Sequence, residues 1–136
     1  MGIQLGAAVI FVRDLSRSVQ FYCELLDLRV TDQSTTAALL SPDAGPQVVL
    51  RQAGANAPHS LGAVGIQYLA WLTPGKADLD RLTDLLRRRS AYRETRNHNG
   101  TVVVEGRDPD DLVILLVWPG ESQEALKSLP ARIYAW

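Results

Sequence analysis

The chain has 136 residues, of which 46% are hydrophobic and 21% charged, and this size and balance predict one domain, residues 1–136, with its own core. Its 14 basic and 15 acidic residues give a formal net charge of -1, which offers no electrostatic basis for nucleic acid or an anionic membrane as a partner. The single cysteine, Cys23, cannot form an internal disulfide, and no apolar run reaches the roughly 18 residues that span a bilayer. We therefore expect a cytoplasmic protein that is not embedded in a membrane.

The first half, residues 4–52, carries the signals of a strand, a helix and three more strands. Residues 4–12 are apolar and β-branched toward their end, which predicts a buried strand. Asp14 and Ser16 are helix-capping residues, and apolar positions recur after them at helical spacing until about Leu26. The further strands are predicted at residues 28–34, 35–40 and 47–52. This half therefore has the order β-α-β-β-β.

The second half, residues 63–119, repeats that order after a linker at residues 53–62 that is rich in Gly, Pro, Asn and Ala. With an offset of about 60 positions, residues 24–26 of the first helix fall on residues 84–86 of the second. The predicted strands of this half are residues 63–72, 92–96, 101–105 and 111–118. We therefore predict a second β-α-β-β-β module.

Two tandem modules of this kind define an α+β protein with a mixed sheet. Because each module leaves one face of its sheet uncovered, we expect the two to pair and to curl around a shared concave cleft. Residues 120–136 are expected to form a short closing helix and a tail. That tail, Ile133–Trp136, is apolar and should pack against the body or a second subunit.

Strand alternation predicts which side chains face the concave cleft. They are Ala7, Val9, Phe11, Leu50, Gln67, Leu69, Trp71, Val113 and Leu115. The set is apolar with one amide and suits a hydrophobic or aromatic small molecule. Under the offset of 60, Phe11 corresponds to Trp71, and the two rings either hold a flat ligand or fill the core. Gln67 either orients a ligand or hydrogen-bonds a neighbouring group.

Two segments carry a resemblance to a known family. Residues 8–26, AVIFVRDLSRSVQFYCELL, resemble the opening strand and helix of the vicinal oxygen chelate superfamily, and residues 107–119, RDPDDLVILLVWP, resemble its closing strand. This superfamily includes glyoxalase I, bleomycin-resistance proteins and extradiol dioxygenases. The resemblance extends over almost the whole chain in the same order, and it implies the fold that the tandem modules predict.

The resemblance also implies where a metal would be bound. Enzymes of the family hold one divalent metal through His, Gln or Glu side chains at four positions, which fall here on Ala7, on or beside Leu50, on Gln67 and on Leu115. Only Gln67 could coordinate a metal ion, and a metal centre needs several converging N or O ligands. We therefore predict no metal and no cofactor. Without the metal, the family's isomerase and dioxygenase mechanisms lack their Lewis acid.

The sequence is compatible with three functions. The first is binding and sequestration of an apolar or aromatic molecule by a homodimer, as in the antibiotic-binding members of the family. The second is an enzyme, a lyase, isomerase or dioxygenase with a divergent metal site or metal-free acid–base chemistry. The third is an interaction module whose cleft is filled by side chains. Cys23 is expected to be a small hydrophobic helix residue and not a nucleophile, because no neighbour in sequence would lower its pKa.

Overall fold

A computed structural model describes residues 2–59, 64–66, 68–98 and 100–120. The chain divides into two units, residues 1–60 and 61–136. The first unit contains β1 (Ala7–Val12), α1 (Leu15–Leu26), β2 (Arg29–Gln33), β3 (Ala37–Ser41) and β4 (Gln47–Gln52). The second contains β5 (Leu69–Leu72), α2 (Lys76–Arg88), β6 (Tyr92–His98), β7 (Thr101–Arg107) and β8 (Val113–Trp118). The element order predicted for each half is therefore confirmed.

Each unit builds a four-stranded mixed sheet with the same topology. The strand orders are β1-β4-β3-β2 and β5-β8-β7-β6. In both sheets the first strand pairs in parallel with the last, and the other pairings are antiparallel. The predicted α+β class with mixed sheets is confirmed. The assignment of both units to a single domain stays a prediction.

The first helix begins at a side-chain cap. Asp14 has extended backbone angles, and its carboxylate accepts a hydrogen bond from the backbone N–H of Arg17 at 3.0 Å, which satisfies a donor that the first helical turn leaves open. The helix ends at Asp27, which has a left-handed φ of 55° and donates its N–H to the carbonyl of Cys23. Its buried residues are Leu15, Ser18, Phe21, Tyr22 and Leu25. The predicted amphipathic helix is confirmed, including its cap.

The second helix relies on charge at its ends instead of a side-chain cap. Its N-cap, Gly75, offers no side-chain oxygen, while Asp78 lies in the first turn and Arg87 and Arg88 lie in the last. These signs match the partial charges of the helix dipole. The guanidinium of Arg87 also lies 4.1 Å from the centre of the Tyr92 ring, where α2 leads into β6. The buried residues of α2 are Leu79, Leu82, Leu85 and Leu86.

The turn between β7 and β8 is held by one carboxylate. The Oδ1 atom of Asp108 accepts hydrogen bonds from the backbone N–H groups of Asp110 at 2.8 Å and Leu112 at 2.9 Å. Asp111, between those two residues, has a φ of 69°, which an Asp tolerates better than most residues. The turn leads directly into β8 and so helps to fix the face of the sheet on which Val113 lies.

Some sequence predictions fall on residues outside the described part of the chain. They concern Gln67, residues 60–62 of the linker, the closing helix at residues 121–129, and the tail Ile133–Trp136. Within the described residues, no helix is both long and apolar enough to cross a bilayer.

Candidate functional site

Each sheet has one face that packs against its own helix, and we call the opposite face the distal face. In the first unit, α1 contacts β3 and β4. The side chains of Leu40, Val48 and Leu50 on these strands have no exposed surface. Because side chains alternate along a strand, Val49 and Arg51 lie on the distal face. The first distal face comprises Ala7, Val9, Phe11, Asp32, Ala37, Leu39, Gln47, Val49 and Arg51.

The register between β1 and β4 brings the residues of the first distal face together. Val9 lies beside Val49, and Phe11 lies beside Arg51. Val9 is 57% exposed and Phe11 is 65% exposed, so a large apolar area of this face is in contact with solvent. The guanidinium carbon of Arg51 lies 5.9 Å from the centre of the Phe11 ring, within the range of a cation–π contact.

The predicted cleft position of Leu50 is wrong. Leu50 is paired with Ile10 of β1 and Ala38 of β3, on the face that α1 covers, and it is 0% exposed. The family likeness locates a position on or beside Leu50 without fixing its strand phase. The hydrogen-bond register fixes that phase and puts the neighbouring Val49 and Arg51 on the distal face instead. Ala7, Val9 and Phe11 do share one face, as predicted from alternation, and their role in binding stays a prediction.

Gly106 identifies the faces of the second sheet. A Cβ on Gly106 would lie 2.9 Å from both Cδ atoms of Leu86, so this position points at α2. Gly106 pairs with Ile114, and Ile114 pairs with Leu69. Leu69 and, two residues later, Trp71 therefore lie on the α2 side of the sheet. The prediction that Leu69 and Trp71 share a face with Val113 and Leu115 is wrong.

The misplacement follows from the offset between the two modules. The helix N-caps are Asp14 and Gly75, which are 61 positions apart and not 60. With the corrected offset, Val12 corresponds to Thr73, and both are buried immediately before the cap region. Phe11 then corresponds to Leu72, which is 49% exposed, and not to Trp71. A one-residue change in offset transfers every side chain of a strand to the other face.

Trp71 lies on the α2 side of the sheet, and its indole N–H is buried. Its indole Nε1 is buried and finds no hydrogen-bond acceptor among the described residues. A buried donor without an acceptor destabilises the folded state. Because Trp71 faces α2, this indole N–H is not evidence that Trp71 binds a ligand. The same corrected offset makes Tyr68, and not Gln67, the counterpart of Ala7.

The second distal face carries a charged pair that was not predicted from the sequence. Its members are Leu72, Glu105, Arg107, Val113, Leu115 and Val117. A terminal nitrogen of Arg107 lies 3.2 Å from the Oε2 atom of Glu105, whose side chain is only 7% exposed. Charges at alternate positions of an otherwise apolar strand, Glu105 and Arg107, were the available signal. Val113 and Leu115 lie on this face and are buried, and their role in a binding cleft stays a prediction.

The charges of the second distal face extend onto β6. Glu94 pairs with Glu105 in the ladder, and Arg96 contacts Glu94 at 2.7 Å. The pKa of Arg96 is raised, first by its hydrogen bond to Glu94 and further by the charges of Glu94 and Glu105. The two glutamates are therefore each accompanied by an arginine on this face.

Other reactive groups are sparse in the part of the chain that the structure describes. Cys23 is half-buried, and burial raises the pKa of its thiol, which disfavours the nucleophilic thiolate. Within the described ranges, no group of three or more His, Cys, Asp and Glu side chains is arranged to hold a metal ion.

The chain consists of two β-α-β-β-β units, and in each unit the first and last strands of a four-stranded mixed sheet pair in parallel. This arrangement defines a protein of the glyoxalase fold. The chain belongs to the Glyoxalase/Bleomycin resistance protein/Dioxygenase superfamily, whose sequence profile matches residues 4–116. The resemblance seen in residues 8–26 and 107–119 is thereby confirmed.

Solved structures agree with this fold. A glyoxylase/bleomycin resistance protein/dioxygenase domain from Frankia sp. EAN1pec has 22% identity and a TM-score of 0.71, with 86% of this chain and 96% of that chain covered. A lactoylglutathione lyase from Agrobacterium tumefaciens has 18% identity and a TM-score of 0.68, with 89% and 100% covered. The oxidase ChaP-H2 has 20% identity and a TM-score of 0.68, with 90% and 98% covered. No curated protein sequence matches the chain significantly.

Proposed function

We propose that this protein binds a hydrophobic or aromatic small molecule on the first distal face, in the manner of a sequestration or resistance protein. The observation that carries the proposal is the exposure of Phe11 at 65% beside Val9 at 57%, on the side of the sheet that α1 leaves uncovered. Burial of a Phe or Val side chain is worth about 1.5–3 kcal/mol, so a flat ligand that covers both gains a useful part of its affinity from them.

The donor set argues against the family's metal as the agent of function. With the register of the strands and the offset of 61 positions between the helix N-caps, the four ligand positions of the family fall on Ala7, on Val49 or Arg51, on Tyr68 and on Leu115. The hydrocarbon side chains of Ala7, Val49 and Leu115 have no lone pair to offer a metal ion, and the guanidinium of Arg51 repels it. One phenol cannot replace the several ligands that a divalent ion requires. These residues do not fit a divalent metal ion, and the proposed function does not require a bound metal.

The proposal is tested by removal of the exposed ring. We expect Phe11→Ala to weaken binding of a flat aromatic probe, such as a naphthalene derivative, by about tenfold or more, because an aromatic contact and its buried area are lost together. Isothermal titration calorimetry measures the affinity, and a shift in melting temperature confirms it, since a ligand that binds only the native state stabilises it.

The matched control is Leu72→Ala. Leu72 is the counterpart of Phe11 in the second unit and is also exposed, so the variant removes a similar apolar side chain from the other sheet. It should retain the affinity of the unmodified protein. Equal binding by Phe11→Ala and the unmodified protein would show that the first distal face is not the binding surface.

A second candidate function is an enzyme, and the buried pair of Glu105 and Arg107 favours it. A carboxylate with 7% side-chain exposure, 3.2 Å from a guanidinium, is placed on the second distal face next to Leu115, its ladder partner. Such a carboxylate could accept a proton from a substrate without a metal. If lyase or oxidase activity is measurable, we expect Glu105→Gln to reduce it at least 100-fold while Phe11→Ala acts on substrate affinity. Unchanged turnover in Glu105→Gln would eliminate this mechanism.

The proposal includes the assembly and the compartment expected from the sequence. A homodimer should give twice the mass of one chain in light scattering, and a monomer at all concentrations would contradict it. A cytoplasmic location suits the lone Cys23, which is not in a disulfide. Fractionation of expressing cells tests that location.

A further inference from the structure

We propose that the ligand of the first distal face is an anion, namely a planar aromatic molecule that carries a carboxylate. Its ring would lie against Phe11 and Val9, and its carboxylate would pair with Arg51. The inference rests on the proposed function and adds the chemical class of the ligand.

The ligand class follows from the position of Arg51 in the sheet. Arg51 lies on β4, an interior strand, and its ladder partners are Phe11 on β1 and Ala37 on β3. The nearest residue of the same strand on this face is Val49. The guanidinium is therefore flanked by apolar residues on both neighbouring strands, at the last but one position of β4.

Arg51 also forms no ion pair within the described part of the chain, although Asp32 lies on the same face two strands away. Other arginines of this unit are engaged: Arg29 lies 3.2 Å from the carboxylate of Asp43, and Arg13 donates its Nε–H to the carbonyl of Ala57 at 2.8 Å. Among the described residues, the contact that Arg51 makes with its charged group is the one with the Phe11 ring at 5.9 Å. Its fork of N–H donors remains available on the exposed side of the sheet.

Desolvation decides which ligand this arrangement prefers. A neutral ring that covers Phe11 and Val9 would also remove water from the neighbouring guanidinium and leave that charge without compensation. A carboxylate on the same ring would replace the lost water with charge-assisted hydrogen bonds, and its two oxygens match the geometry of the guanidinium fork. The same surface therefore disfavours a neutral aromatic compound and favours an aromatic carboxylate.

The test compares two probes of the same shape on three proteins. The probes are 2-naphthoate and 2-naphthalenemethanol, which differ in charge and share the ring. We expect the unmodified protein to bind 2-naphthoate at least about tenfold more tightly, which is the scale of one charge-assisted hydrogen bond. Arg51→Gln should lose that preference and bind the two probes alike. Arg17→Gln, which makes the same change in net charge on the exposed side of α1, should keep it.

Each result supports or overturns the inference. Equal affinities for the two probes in the unmodified protein, or a preference that persists in Arg51→Gln, would overturn it and leave the proposed function standing. Absence of binding by both probes would overturn both. If Arg51→Gln instead converts a dimer to a monomer in light scattering without any effect on probe preference, a second copy of the chain occupies this face and the inference fails. Circular dichroism melting curves show that Arg51→Gln is folded, as expected for a change at the sheet surface.

Discussion

Replacement of Leu50 by alanine is expected to lower the free energy of unfolding by about 2–5 kcal/mol. The side chain is 0% exposed and lies in the middle of the first sheet, between the ladder partners Ile10 and Ala38. The helix α1 covers this face, so the lost methyl groups leave a cavity that two layers of rigid structure can close only in part. Urea denaturation followed by circular dichroism measures the loss.

Val49→Ala is the matched control for Leu50→Ala. Val49 is the adjacent residue on the same strand, but it lies on the first distal face and is only partly buried. We expect it to cost less than about 1.5 kcal/mol, because fewer packed contacts are removed. For ligand affinity the order should reverse: Val49→Ala weakens binding of the aromatic probe, and folded Leu50→Ala does not. Similar losses of stability in the two variants would contradict the face assignment.

Gly106→Ala is expected to destabilise the second unit by about 1–3 kcal/mol, which is the usual range for overpacking. The added Cβ would stand 2.9 Å from the backbone oxygen of Ala91 and from both Cδ atoms of Leu86. The leucine can change rotamer, but the carbonyl belongs to the segment that joins α2 to β6 and moves only with the backbone. The penalty is therefore steric and does not depend on left-handed backbone angles.

Gly6→Ala provides the comparison. A Cβ at Gly6 meets nothing within 4 Å, so we expect a change within about 0.5 kcal/mol. Thermal unfolding of the two variants in parallel separates the steric effect from the general effect of glycine replacement. If Gly106→Ala is as stable as Gly6→Ala, Gly106 does not point at α2, and the assignment of Leu69 and Trp71 to the α2 side loses its basis.

The helices and strands were predicted well because capping residues and the spacing of apolar residues depend only on neighbours in the sequence. Asp14 caps a helix wherever an apolar 3.6-residue pattern follows it, and the strand at Gln47–Gln52 was predicted with its observed bounds. Strand phase was harder to predict. In β8 the run Val113–Trp118 is apolar at every position, so alternation cannot distinguish one face from the other.

The phase of a strand is set by partners that are distant in sequence. The side of the sheet on which Leu50 lies is decided by its register with Ile10, and the side for Leu69 is decided by Ile114. A repeat offset taken from the helices alone is uncertain by one residue, and one residue exchanges the faces. For the same reason strand alternation in the sequence did not place Arg51 among the binding residues, whereas the register identifies it as the cation of the first distal face.

The parallel pairing of first and last strands constrains how the chain can assemble. Ala7 is matched with Gln47 and Leu69 with Ile114, so in each unit the opening strand finds its partner only after the helix and the other strands have been synthesised. Contacts of this separation require closure of a long loop before they contribute any stability. The strand that carries Val9 and Phe11 is thus the last to gain a neighbour in its unit. Until β4 emerges, the nascent chain carries an apolar segment without a sheet to join.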